Sequence, residues 1–493
     1  MSMTVSTTRG GVRGYEDGGV TKFLGIPYAA SPTGDLRFRA PAPAPAWDGV
    51  LEATEFSATP PKPDYPPPVD EILPEPNIPG DNWLTVNVWT PGGSGLPVMV
   101  WIHGGAFSHG NSAVAVYDGH AFARDGVVLV TINYRLGTDG FALLPDAPAN
   151  RGLLDQIAAL EWVRDNIGAF GGDPANVTIF GESAGAQSVT TLLTIPRARG
   201  LFAKAITQSG AAQAAADPAD AALVTKELGQ ALGVEPTVAS LSALPRPALI
   251  EGQTAVRDAL INQPDPSRFG ASIVVSSIPF PPVIDGDLLP RHPMAAIAAG
   301  ESADVPLLTG TTTEEFRLFL IPTGRAALVT EGLLGVLLPR LGISAPVAEL
   351  YRAHRPGISP GELLAALLTD AYFRLPALAV AAARSGSART YVYEFAWSSP
   401  VAGLGACHAM EIPFVFDNLA APGADRITGP RPPALLATRM HEAWISFART
   451  GDPGWRPFGA DFPVFVFRES GGTLELDPRG DERRIWQPVL PPA

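Results

Sequence analysis

Three short runs of apolar, β-branched residues constrain this chain most. PVMVWIH (Pro97–His103), VVLVTINY (Val127–Tyr134) and VTIF (Val177–Phe180) show almost no polar alternation. Strands buried on both faces of a parallel sheet read this way. Between the second and third runs lies RGLLDQIAALEWVRDNIGAF (Arg151–Phe170), which places Leu154, Ile157, Ala158, Trp162 and Ile167 on one helical face. Another helix-like stretch, Ala184–Ile195, follows the third run and is stopped by Pro196. Strands alternating with helices predict an α/β fold, with a large, mostly parallel central sheet flanked by helices.

Further strand-like runs occupy Trp83–Trp89, Pro306–Thr312 and Thr390–Trp397. Ala- and Leu-rich stretches at about 211–269 and 333–385 read as helical insertions covering the sheet's carboxyl edge, within one domain over residues 1–493. Prolines crowd Pro41–Trp47 and Thr59–Pro76, where neither helix nor strand interior can form. Because a strand-like run starts directly afterwards, this segment is expected to be a packed surface loop rather than a linker.

With 46% hydrophobic residues in 493, the chain can bury a large core, and a net charge of −14 argues against a nucleic-acid partner. The single cysteine, Cys407, excludes an intrachain disulfide and makes a structural zinc site unexpected. No N-terminal secretory run and no uninterrupted apolar stretch near 20 residues is visible, so no membrane association is expected and a cytoplasmic location is. Spacing says nothing about monomer or homodimer.

The chemistry centres on FGESAGAQ (Phe180–Gln187). A strand ending at Phe180 and a helix starting near Ala184 leave a tight turn that strains Ser183 and lifts its side chain clear of the sheet. The alternative is a serine that merely caps the helix. A nucleophile needs donors for an oxyanion. The glycine-rich loop His103–Phe107 follows a strand upstream, so the N–H groups of Gly105 and Ala106 are assigned that role, with Ala184 as third donor. A general base is also needed. Downstream of Ser183 stand His292, His354, His408 and His441. His408, in the Gly-rich loop after Thr390–Trp397, is favoured by elimination. The orienting carboxylate should lie between serine and histidine, where Glu314 and Glu315 follow a strand; spacing does not choose between them.

The run FGGDPANVTIFGESAGA (Phe170–Ala186) resembles the active-site signature of the type B carboxylesterase and cholinesterase-like family of α/β-hydrolases. Further landmarks follow in family order across essentially the whole chain: FLGIPYA, LRFRAP, WIHGGAF, NYRLG, ITQSG, PVIDGDLLP, GTTTEEF, CHAMEIPFVF and AWISFARTGDP. The resemblance implies an α/β-hydrolase fold and a triad of Ser183, Glu315 and His408, with oxyanion donors Gly105, Ala106 and Ala184. It further implies that Ser209 supports the acid and that Arg135 and Asp173 form a buried ion pair. Phe316 stands where the family usually has a glycine, and Trp83 where many members have a disulfide cysteine.

The activity so implied is hydrolysis of a small-molecule carboxylic ester through an acyl-enzyme on Ser183, with no cofactor or metal. The same triad could serve an amidase, carbamate hydrolase or thioesterase, and a non-catalytic binding protein is the alternative from another class. Phe107, Phe316 and Phe319 are candidates for an aromatic substrate-pocket wall.

Overall fold

The computed structural model describes residues 2–384, 386, 389–401 and 403–486. The chain forms two compact units. The first gathers residues up to 64, 75–206 and 212–302; the second gathers 65–74, 207–211 and the chain from 303 onward.

In the first unit the strands are β1 (Ser2–Ser6), β2 (Gly11–Asp17), β3 (Val20–Pro27), β4 (Val50–Glu52), β5 (Thr85–Thr90), β6 (Leu96–Ile102), β7 (Val128–Ile132) and β8 (Gly172–Glu182). Their spatial order is β1-β2-β3-β5-β7-β6-β8, with β4 beside β2. The strand β6 runs parallel to both β7 and β8, Val100 standing opposite Val130 and Ile179. The outer pairs β1–β2, β2–β3, β3–β5 and β5–β7 are antiparallel. Every residue of β7 and the last five of β6 are buried, which is why these runs lack polar alternation.

The crossover from β7 to β8 uses the helix Arg151–Asn166. It is buried almost all round, not on the single face its apolar spacing predicts, because Arg151 and Asp155 are satisfied internally. The Arg151 guanidinium donates to the carbonyls of Thr138, Asp139, Ala142 and Pro148. Asp155 takes a bidentate bond from Arg135 at 2.7 and 2.8 Å, and a further one from the Arg135 N–H. The expected Arg135–Asp173 pair is therefore corrected: Asp173 lies half-buried at the start of β8 and accepts from the Ala175 N–H.

The Pro-rich excursion is largely irregular as expected, but it is corrected at one place: a four-residue helix, Val69–Ile72, forms in the proline-free stretch after Pro68. A Lys62–Glu75 ion pair at 2.6 Å, with both side chains buried, joins its two arms. Trp83 is buried under the Arg246 guanidinium, 4.5 Å from the ring centroid. The predicted helical stretch near 211–269 holds helices Pro218–Leu232, Val238–Ser242 and Arg246–Asn262.

In the second unit, β9 (Lys204–Gln208) contributes its last two residues, followed by β10 (Leu307–Thr312), β11 (Thr390–Phe395), β12 (Pro463–Arg468) and β13 (Gly471–Leu476). The strands β10, β11 and β12 are parallel, and β12–β13 is an antiparallel hairpin. The stretch predicted helical from Leu333 forms helices Glu331–Arg340, Ala345–His354 and Pro360–Ala383; Ser385, at its predicted end, lies outside the described residues. These helices build a core with Val392, Val464, Val466 and Trp486. The helix Pro360–Ala383 is long and apolar enough to cross a membrane by length and composition, yet 67% of its apolar window is buried. It contains one π-helical turn, Asp370–Arg374, just ahead of Pro376. The proline lacks an N–H for the Tyr372 carbonyl and its ring crowds that carbonyl, so the turn widens.

Candidate active site

Ser183 follows the last residue of β8 and precedes the helix Ala184–Leu192. Its backbone stands at φ 55° and ψ −123°, a region that costs a non-glycine residue about 1–3 kcal/mol. The hydroxyl makes no capping bond to the helix, so Ser183 is not simply a helix N-cap. The crossing of strand and helix explains the following glycine: a Cβ on Gly185 would lie 1.9 Å from the Ile102 carbonyl oxygen.

The loop after β6 lies against this elbow. A Cβ on Gly104 would come within 3.1 Å of the Ser183 Cβ. The Gly105 carbonyl accepts the N–H groups of Ser108 and His109 at 2.9 and 2.8 Å. Since a trans peptide holds its carbonyl and N–H antiparallel, the Ala106 N–H points away from that turn. His103 acts in the same way one peptide earlier: its Nδ1 lies 2.8 Å from the Gly104 carbonyl oxygen. Burial holds this imidazole down to about pKa 4, against the opposing effect of the Gly104 carbonyl. It is thus neutral near pH 7, with its Nδ1 proton donated to the loop. Phe107 does not line a pocket. Its positive φ of 57° turns the fully buried ring onto Phe141 at 4.9 Å, and its carbonyl accepts the Gly137 N–H.

Glu315 and His408 meet in the second unit. The Glu315 Oε2 is 2.6 Å from His408 Nδ1, and both side chains are buried. Its other oxygen accepts the Thr312 N–H at 2.8 Å, so a backbone group fixes the carboxylate. Glu314 faces elsewhere, accepting the Ala406 N–H at 2.9 Å and pairing loosely with Arg317 at 3.5 Å. Of the two acids that spacing left open, only Glu315 reaches the histidine. Ser209 is a correction: its hydroxyl donates to Glu411 Oε1 at 3.4 Å, not to Glu315. Glu411, fully buried and also facing Gln208, escaped sequence reasoning, although its place three residues after His408 was a signal.

The remaining downstream histidines are engaged in structure. His292 caps the helix Pro293–Ala298, His354 faces Glu482 and Asp481, and the buried His441 meets the Val415 carbonyl at 2.7 Å. Aromatic rings crowd His408: Phe319 lies at 5.2 Å and Phe373 at 4.9 Å between centroids. Phe316 packs its ring against Phe319, Tyr372 and Phe373. Phe373 was missed by sequence reasoning, though Pro376 close behind it marks an irregular turn. Cys407 is buried and its thiol is pushed well up by burial, with Glu315 and Glu411 adding to the effect, so it is no nucleophile near pH 7.

Comparison with known proteins matches residues 1–485 to the Carboxylesterase family. The chain is 37% identical over 509 residues to a para-nitrobenzyl esterase of Bacillus subtilis (strain 168), covering 97% of each chain. It is 35% identical to a phenmedipham hydrolase of Pseudarthrobacter oxydans, covering 96% of each. Among solved structures, a Geobacillus stearothermophilus carboxylesterase superposes with a TM-score of 0.85 at 38% identity, over 98% of this chain and 100% of that one. A para-nitrobenzyl esterase structure gives 0.84 at 35% identity, over 99% of this chain and 100% of the other. The fold is thus that of the α/β-hydrolases, with a mostly parallel sheet flanked by helices.

Proposed function

Since this chain belongs to the carboxylesterase family and is a carboxylic ester hydrolase, we propose that Ser183 is its nucleophile, His408 its general base and Glu315 the orienting acid. The observation that carries the reading is the buried 2.6 Å contact between Glu315 and His408, with aromatic rings packed beside the imidazole. In the proposed cycle the Ser183 hydroxyl attacks the ester carbonyl while His408 Nε2 takes its proton. Glu315 holds the proton on Nδ1 and stabilises the imidazolium. The N–H groups of Gly105, Ala106 and Ala184 receive the oxyanion, each contributing about 2.7–4 kcal/mol to the transition state. The imidazolium then protonates the departing alcohol. Water, deprotonated by the same ring, cleaves the acyl-enzyme and restores Ser183.

The substrate is a small-molecule ester. We propose an aromatic ester within that class, supported by the para-nitrobenzyl esterase relatives and by the rings beside His408. A cytoplasmic setting is proposed with it, supported by the one cysteine being buried and unpaired. The test is Ser183→Ala, which should abolish hydrolysis of p-nitrophenyl butyrate and labelling by phenylmethylsulfonyl fluoride while leaving the circular dichroism spectrum unchanged. Retained turnover would end the assignment. A panel of para-nitrobenzyl, alkyl, amide and carbamate substrates decides the finer class; slower turnover of the aromatic esters than of the alkyl ones would overturn the aromatic preference.

A further inference from the structure

Glu315 holds the His408 imidazole at Nδ1, and the rings packed against it bear on its plane. Two rings lie beside it. Phe319 and Phe373 flank the imidazole with interplanar angles of 46° and 49°. Neither ring is fixed by its own backbone alone: Phe319 is 36% exposed, and Phe373 rides on the widened π turn. The ring of Phe316 braces both, edge-on, at 5.4 Å from Phe319 and 5.8 Å from Phe373. It also meets Tyr372 at 5.4 Å.

The backbone ties Phe316 to the same helix. Its N–H donates to Thr369 Oγ1 at 3.1 Å, one residue before the π turn. The turn itself is locked by a buried bidentate pair, Arg374 to Asp370 at 2.8 and 2.6 Å. Tyr351 donates to the same carboxylate, and Trp486 Nε1 donates to the Tyr351 hydroxyl at 3.0 Å. A chain of contacts therefore runs from a rigid buried ion pair through Phe373 to the imidazole, and Phe316 closes it on the other side.

We infer that Phe316 is a positioning residue for the general base, holding Phe319 and Phe373 so that together they fix the plane of the His408 ring. This rests on the reading of His408 as the base. The influence of Phe316 passes through the two rings that pack on both it and the imidazole. Edge-to-face packing gives each ring a preferred orientation, not merely a volume to fill. A base whose ring plane wanders spends less time aligned with the serine proton, and small misplacements of a catalytic group are costly in rate.

The test uses the full chain with Phe316→Gly, which removes the brace, and Phe316→Tyr, which keeps the ring. With p-nitrophenyl butyrate, the glycine variant should lose about tenfold in kcat with KM changed less than about twofold, as expected for lost alignment rather than lost binding. In proton NMR, the far-downfield signal of the His408 Nδ1–H should broaden in the glycine variant. The tyrosine variant should recover both kcat and the sharp signal. If the glycine variant does not fold, Phe316→Leu, which fills space without a ring, carries the same expectation. A wild-type kcat with a sharp Nδ1–H signal in the ring-less variant overturns the inference, as does a change in KM alone. Ser183→Ala is run in parallel: residual turnover there would defeat the triad, whereas a dead Ser183→Ala beside an unaffected ring-less variant would defeat only the brace.

Discussion

Removing the charge from Glu315 without changing its shape isolates what that carboxylate does. The Glu315 Oε2 lies 2.6 Å from His408 Nδ1, and both groups are buried. When His408 takes the serine proton, a positive charge forms about 4 Å from the centre of the carboxylate charge. At an effective dielectric near 20 that attraction amounts to about 4 kcal/mol. In Glu315→Gln it is absent, and a glutamine amide N–H facing Nδ1 would also favour the wrong tautomer. At 1.36 kcal/mol per decade, kcat should fall by about three orders of magnitude. Glu314→Gln is the control: its carboxylate is half-exposed and serves the Ala406 N–H and Arg317, so the loss should stay within about threefold. The assay is steady-state p-nitrophenyl butyrate hydrolysis at pH 8, with melting temperatures to show that both variants fold. A Glu315→Gln enzyme within tenfold of wild type, or a larger loss in Glu314→Gln, would refute the electrostatic argument.

Two further outcomes are expected. Asp155→Asn should cost about 3–5 kcal/mol in urea unfolding, because it leaves the buried Arg135 charge uncompensated, whereas Asp173→Asn should stay within about 0.5 kcal/mol. Acidification should destabilise the fold between about pH 6.5 and 4. Burial holds His103 down to about 4, so across that window the unfolded chain binds the proton that the native chain refuses. The contribution is present above pH 6.5 and is lost as pH falls, amounting to about 3 kcal/mol in all; a flat urea midpoint over the window would contradict it.

The elbow was legible because strand, tight turn and helix each leave a local signature, and β8, Ser183 and the helix at Ala184 lie where those signatures fall. Choosing between Glu314 and Glu315 was not local. Neighbouring residues in a turn point in different directions, and the direction here depends on the Thr312 N–H and the Ala406 backbone, which belong to separate segments. The partner of Arg135 was misjudged for a related reason. Asp155 reaches it from inside a helix whose polar side chains, by periodicity alone, should have faced water. Phe107 carried no warning, because a positive φ on a bulky residue cannot be read from its neighbours in sequence. The rings around His408 come from Phe319 and from the far helix bearing Phe373, joined only by the fold.

Trp83 and Arg246 carry a practical consequence. The indole lies buried with the guanidinium over its face, and the chain's one cysteine is buried elsewhere. Thiol reagents such as dithiothreitol have no crosslink within this chain to open, so refolding in their presence involves no intrachain disulfide shuffling.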